Sequence, residues 1–280
     1  MGEIFSYLPK GLGQVLNLIY NTVAFHNYGL AIIIFTVIVR MLILPLTLKQ
    51  YRSSMAMQAL QPQLQEIQKR YKNDKQKLQM ETMKFYQENK VNPAGGCLPL
   101  LIQFPILISL WQVIVRPLTY MLNWNSAKIS EHLSKLPQAD VIRGYKELSI
   151  VIHEKVMDMH FLGLNLGMVP KLSTQYLFNN PNSAQYLALL MIPIAATVTT
   201  FISSKMMMSP ARMQQNKNAA PQMAGMQNTM LYIAPLMTLF FSFQFPAGLG
   251  LYWITGYVIQ IFQQIYINKT IFSKKEVAGK

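Results

Sequence analysis

The stretch that most restricts what this chain can fold into is Tyr28 to Leu48, YGLAIIIFTVIVRMLILPLTL, 21 hydrophobic residues carrying one charge, Arg40. About 20 such residues suffice for a helix to cross a bilayer. Nine residues separate Arg40 from the polar flank at Lys49, which is about 13 Å of helix at about 1.5 Å per residue and more than an arginine comfortably snorkels. An arginine at that depth costs about 2.5 to 3.5 kcal/mol on insertion scales, so it is expected to face a polar cavity or a partner. Sliding the span back to Ile19 to Val39 would put Arg40 at the headgroups, but it would bury Asn21, His26 and Asn27 instead.

Composition agrees with a membrane class: 51% of the 280 residues are hydrophobic and 13% charged, unlike a soluble enzyme. The net charge of +14 fits either nucleic-acid binding or cytoplasmic loops loaded with Lys and Arg, and the location of the charges decides between them. A single cysteine, Cys97, excludes an internal disulfide and a multi-cysteine metal site, leaving packing as its role. The start of the chain shows neither a secretory signal nor a transit peptide, and no lipobox is present, so the first span is expected to be retained. A bacterial plasma membrane is the expected home.

Four further hydrophobic runs follow, Leu98 to Val115, Leu187 to Ser203, Met230 to Phe245 and Gly248 to Ile267, and they predict an all-α membrane protein with five transmembrane helices. The domains expected are an interfacial amphipathic helix outside the membrane (1–27), the first span (28–48), a cytoplasmic helical hairpin (49–96) and the second span (97–115). An extracellular helical region (116–186), the third span (187–204) and a cytoplasmic loop (205–229) come next. The fourth span (230–247), the fifth (248–268) and a basic cytoplasmic tail (269–280) complete the chain. Lys and Arg number nine from Lys49 to Lys90, three from Lys205 to Lys217 and four from Lys269 to Lys280, against Lys10 and seven from Arg116 to Lys171. The positive-inside rule then puts the N-terminus outside and the C-terminus in the cytoplasm. DNA is not an expected partner, since this distribution accounts for the charge.

Within the hairpin, Pro62 fits a first helical turn, and Asn73-Asp74 supplies a turn and an N-cap. Leu64, Ile67 and Tyr71 mark one face; Leu78, Met83, Phe85 and Tyr86 mark the other. Met55, Met57, Met80 and Met83 carry flexible thioethers suited either to packing between the helices or to variable apolar clients. Outside the membrane, Asp140 to Met159 reads as helix. The third and fourth runs are short, 17 and 16 residues, which implies a thinned or hydrated interior unless flanking residues extend them.

No chemistry that would make an enzyme is readable. His26, His132, His153 and His160 form no H-E-x-x-H, and neither G-x-S-x-G nor a phosphate-binding Gly-rich loop occurs, so no catalytic residue, metal or cofactor is expected. The spans hold instead Arg40 and uncharged polar groups: Gln103, Ser109, Gln112, Thr197, Thr199, Thr200, Ser203, Ser204, Gln260, Gln263 and Gln264. Each of the latter, taken alone, fits an ordinary interhelical hydrogen bond.

The segment NPAGGCLPLLIQFPI, Asn92 to Ile106, resembles the YidC/Oxa/Alb family of membrane protein insertases. The resemblance continues through LQPQLQEIQKRY at Leu60 to Tyr71, through FPAGLGLYW at Phe245 to Trp253, and through Gln263-Gln264. Arg40 falls where the family carries a functional arginine, a few residues before Pro45-Leu46. Two departures stand out: Ser203-Ser204 precede Lys205-Met206 where many members have a glutamine, and Tyr257 stands where an asparagine is common.

The resemblance implies five core helices around a hydrophilic groove open to the cytoplasm and to lipid, through which short-tailed membrane proteins are inserted, alone or beside the Sec translocon. It points to a compact Gram-positive form. On this reading nascent membrane proteins, membrane lipids and the Sec translocon are partners, and the ribosome is a further candidate through the basic tail. Client-binding positions are then Arg40, Gln103, Gln112, Thr200, Ser203, Ser204, Tyr252 and Trp253, the last two fitting an exit path or an aromatic belt. The hairpin residues Met80, Met83 and Phe85 would receive clients first. Rival readings are a small-anion transporter or channel binding its solute at Arg40, and a chaperone for already inserted subunits. No internal repeat supports the transporter.

Overall fold

A computed structural model describes residues 2–91, 98–138, 141–142, 144–172, 183–207 and 221–278. Helix α1 covers Gly2–Asn21, α2 Tyr28–Ala59, α3 Gln61–Arg70, α4 Lys75–Glu88, α5 Leu98–Val115, α6 Pro117–Tyr120, α7 Ser126–Lys135 and α8 Lys146–Glu154. Strands β1 (His160–Phe161) and β2 (Leu164–Asn165) follow, then α9 (Ser183–Leu189), α10 (Met191–Met207), α11 (Pro221–Ser242) and α12 (Ala247–Ala278). Among the described residues, Tyr28–Ser53 and Ser183–Met207 are each long and apolar enough to cross a membrane, and Phe104–Val115 and Leu231–Ser242 are shorter apolar helices.

Several helices outrun the hydrophobic stretches that announce them. Helix α2 continues past Leu48 to Ala59, because Met, Ala and Gln sustain it and neither glycine nor proline falls between Leu48 and Ala59. The third hydrophobic run, 17 residues in sequence, lies in a 25-residue helical stretch formed by α9 and α10. Helix α11 is 22 residues long. Shortness therefore supplies no argument for a thinned bilayer at the third run, whereas the apolar part of α11, Leu231–Ser242, stays short.

The two hairpin helices α3 and α4 are set by local signals. Pro62 stands in the first turn of α3, where its missing N–H has no intrahelical partner to lose. The Asp74 carboxylate caps α4, accepting from Lys77 N–H at 3.0 Å. Helix α4 buries no residue, and Leu64 of α3 is the one hairpin side chain in the buried core set among the described residues.

The region from Arg116 to Leu172 forms a cap on one end of the bundle. It is not wholly helical: helix α8 occupies only Lys146–Glu154 of the stretch read as helix, ending at Lys155 in the left-handed conformation. After it comes an antiparallel hairpin pairing His160 with Asn165 and Phe161 with Leu164. Asp140 and Arg143 lie outside the described residues. The hairpin turns on Leu162 (φ 51°) and Gly163 (φ 80°), a two-residue loop whose positive φ angles suit the right-handed twist of paired strands.

This cap is docked by backbone. Tyr28 N–H donates to Asp158 O at 3.3 Å, Ala247 N–H to Met168 O at 2.8 Å and Gly248 N–H to Leu166 O at 2.8 Å. Amides in the first turns of α2 and α12, which have no intrahelical acceptor, thus find one in the cap. The fully buried large side chains Leu16, Tyr28, Ile32, Phe35, Leu110, Ile114, Leu118, Met121, Leu148, Ile150, Met159 and Leu166 come from α1, the first turns of α2, the end of α5 and the cap. The hydrophobic core therefore sits at the capped end.

Candidate functional site

Arg40 lies 12 residues into α2, about 18 Å from the capped end at about 1.5 Å per residue. Its side chain is half-buried and rests on α12 at Gly256: a Cβ there would lie 2.8 Å from Arg40 Nη2 and 3.4 Å from Nε. A glycine at this point lets the guanidinium approach the α12 backbone, a space that any side chain would fill. No acidic side chain is paired with Arg40 among the described ion pairs.

Polar groups continue from that contact away from the cap. On α2, Arg40, Thr47 and Tyr51 recur at intervals of seven and four, which places them on one helical face. On α12, Gly256, Gln260 and Gln263 or Gln264 recur at intervals of four and three or four. The two helices meet again where Gln264 Nε2 donates to the Tyr51 hydroxyl. Gln260 Nε2 lies 3.3 Å from Met207 Sδ of α10, and Gln263 Nε2 is buried with no hydrogen-bond partner among the described residues.

Helix α10 packs along both α11 and α12. Its Thr200 hydroxyl, fully buried, donates to Ala196 O at 2.7 Å and lies 3.4 Å from Thr238 Oγ1 of α11. Thr238 in turn donates to Ala234 O at 2.9 Å. Ser203 is buried and Ser204 half-buried. Thr200 thus makes the interhelical contact that polar residues in a bundle commonly make.

The remaining sequence candidates divide. Gln112, three residues from the end of α5, accepts from the Tyr120 hydroxyl at 2.9 Å, which ties it to the cap rather than to the Arg40 level. Tyr252 is a core side chain, 2% exposed, so an exit-path position does not fit it; neighbouring Trp253 is half-buried against that core. The side chains of Gln103, Met55 and Lys274 to Lys280 lie outside the described residues, as do Asn92 to Cys97 and residues 208–220. On the hairpin, Met80 and Met83 are exposed, and Phe85 is half-buried beside Tyr86, their rings 6.2 Å apart. No group of three His, Cys, Asp or Glu side chains suited to a metal occurs among the described residues.

Sequence reasoning had not singled out Gly256 or Tyr51 as partners. A glycine in an apolar helix gives no sign of what approaches it. Tyr51 lies past the hydrophobic run and reads as an ordinary interfacial tyrosine.

Comparison with known proteins gives the family of the chain. Residues 18–275 match the family described as 60Kd inner membrane protein. The membrane protein insertase YidC of Oceanobacillus iheyensis is 38% identical over 253 residues, covering 89% of this chain and 77% of that protein. The membrane protein insertase MisCA of Bacillus subtilis is 38% identical over 272 residues, 96% of this chain and 76% of the relative. The insertase YidC of Fusobacterium nucleatum is 32% identical over 266 residues, 94% of this chain and 98% of its own length.

Proposed function

The chain belongs to the YidC/Oxa1 family and is a multi-pass membrane protein insertase of the cell membrane, not an enzyme, and from that premise we propose that Arg40 is the electrostatic receiver for client segments. The observation that carries the reading is the Arg40 guanidinium seated on Gly256, in a membrane helix and with no acidic partner among the described ion pairs. A cation in a weakly screening environment attracts an acidic client side chain more strongly than it would in water. The driving force lies elsewhere. As the client's span enters lipid, each Leu, Ile, Phe or Val contributes about 0.3 to 0.6 kcal/mol on the insertion scale, so nucleotide hydrolysis is not needed.

The proposed architecture has five spans around a hydrophilic groove, with Thr47, Tyr51, Gln260, Gln263, Gln264, Ser203 and Ser204 along its polar wall. The cap and α1 face the outside and hairpin α3–α4 the cytoplasm, which the excess of Lys and Arg on the hairpin side supports. Short-tailed clients pass from the exposed Met80 and Met83 to the Arg40 level, with or without the Sec translocon. The basic tail contributes a salt-sensitive ribosome contact; loss of Lys274 to Lys280 is expected to weaken cosedimentation at low salt.

The test is insertion of matched clients, one with Asp or Glu in its translocated tail and one neutral, into proteoliposomes holding only this protein and no ATP. Arg40→Ala is expected to reduce insertion of the acidic client about tenfold, equivalent to about 1.4 kcal/mol, and to leave the neutral one nearly unchanged. Arg40→Lys should retain much of the activity, since an ammonium supplies the same charge. The fold should survive Arg40→Ala, because removing an intramembrane charge relieves a cost. Equal loss on both clients would sink the electrostatic role.

A further inference from the structure

Two residues at the capped end depart together from the usual rules of exposure and backbone conformation. Leu162 is 86% and Phe25 83% exposed, and both have positive φ, 51° and 50°. Large apolar residues seldom adopt that conformation, and the first position of a two-residue hairpin loop such as Leu162-Gly163 ordinarily takes Asn, Asp or Gly. A leucine there gains neither burial against the protein nor a favourable backbone. It becomes favourable if the tip meets an apolar environment outside the chain.

The positions of the two loops say what that environment is. Asn27 Nδ2 donates to His160 O at 3.1 Å, and Asp158 N–H donates to the Tyr20 hydroxyl at 3.0 Å. Tyr28 N–H reaches Asp158 O. Phe161 fills the space at Gly29, where a Cβ would fall 2.3 Å from its Cγ. The loop before α2 and the strand hairpin are thus both fastened to the first turn of α2, where the membrane-length apolar stretch begins. Leu18 and Val23, 63% and 54% exposed, extend the apolar surface along the end of α1 and the loop after it. Side chains of α2 from Tyr28 to Thr36 are buried or half-buried and exposure begins only at Val37, so where the apolar stretch starts the exposed apolar surface belongs to these loops, and a bilayer interface takes up such side chains.

We infer that Phe25 and Leu162 are lipid anchors, dipping into the headgroup and upper acyl region and holding the cap against the bilayer where α2 enters it. The inference rests on α2 being a membrane span and not on which leaflet the cap faces. By fixing the cap, the anchors fix the height of α2 and with it the depth of Arg40.

The experiment is spin labelling in a Cys97→Ser background, in proteoliposomes holding only this protein. Labels are placed singly by Phe25→Cys, Leu162→Cys, Ile38→Cys on α2 and Lys135→Cys on the cap, and their accessibility to oxygen and to an aqueous nickel complex is compared. The Phe25 and Leu162 labels are expected to show an oxygen-to-nickel ratio about fivefold above that of Lys135, between it and Ile38, as side chains at an interface do. Ratios equal to that of Lys135, with Ile38 in lipid, would overturn the inference. Exclusion of both reagents at Phe25 and Leu162 would also overturn it, by showing a second copy of the chain covering the tip. An Ile38 label in water would instead remove the span on which the inference rests. As a check on folding, Leu162→Asn suits the positive φ and should retain thermal stability in detergent while raising nickel accessibility at a Phe25 label about twofold.

Discussion

The two ends of this bundle are built on opposite terms. At the capped end, helix N-termini are satisfied by cap carbonyls, Glu147 is held by Thr119 N–H at 2.9 Å and Thr119 Oγ1 at 2.6 Å, and fully buried apolar side chains form the core. Toward the other end, α4 buries nothing, Met80 and Met83 are exposed, and Gln263 Nε2 is buried with no partner among the described residues. The difference is one between a close-packed base and an open end with exposed apolar and polar groups. Close packing fixes a single arrangement, whereas exposed thioethers and a cation beside bare helix backbone can accept varied partners.

The sharpest way to break that comparison is to truncate a side chain on each side. Leu148→Ala in the cap should lower stability by about 2 to 5 kcal/mol, the usual cost of emptying a packed leucine site. Met83→Ala on the hairpin should change it by no more than about 0.5 kcal/mol. Thermal unfolding in detergent measures both, and crosslinkers at Met83 should capture clients during insertion whereas crosslinkers at Lys135 on the cap should not. Similar stability losses would erase the distinction between the ends.

A smaller effect tests the Arg40 seat. Gly256→Ala puts a methyl group 2.8 Å from Nη2, closer than van der Waals contact allows, and is expected to displace the guanidinium, lowering acidic-client insertion about threefold, equivalent to about 0.7 kcal/mol. Alanine is also the better helix former, by up to about 1 kcal/mol. The expected signature is therefore retained or raised thermal stability with lower activity. Falling stability and activity together would mean that the glycine serves helix packing instead.

The smallest effect concerns pH at the cap. Burial pushes the Glu147 carboxyl above the ordinary carboxylate range, against opposing hydrogen bonds from Thr119 and the nearby charge of Arg116. Because the folded-state pKa is the higher one, the folded cap binds the proton more tightly than the unfolded chain does. Stability should thus rise as pH falls from neutrality through the folded pKa toward the ordinary range, by on the order of 1 kcal/mol or less. Unfolding curves at stepped pH should show this slope, and Glu147→Gln should flatten it. The opposite shift at Glu131, lowered by the Lys135 ammonium 2.7 Å away, is on an exposed pair and should add little.

Some of this protein is written directly in its residues. The length and apolarity of Tyr28 to Leu48, the Pro62 and Asp74 signals of the hairpin and the family motifs around Leu60 and Phe245 determined helices, class and family, because each depends on local composition or short spacing. Arg40 was conspicuous for the same reason, a charge in an apolar run. Its seat was not, since Gly256 is 216 positions away in sequence and its meaning lies in what approaches it. Tertiary structure alone tied Gln112 to Tyr120 and put Tyr252, one turn from Gly256, into the core. It alone turned part of a region read as helical into a strand hairpin fastened beneath α2. Periodicity says which face of a helix is polar; which partner meets that face, and at what depth, follows only from the packing of elements distant in the chain.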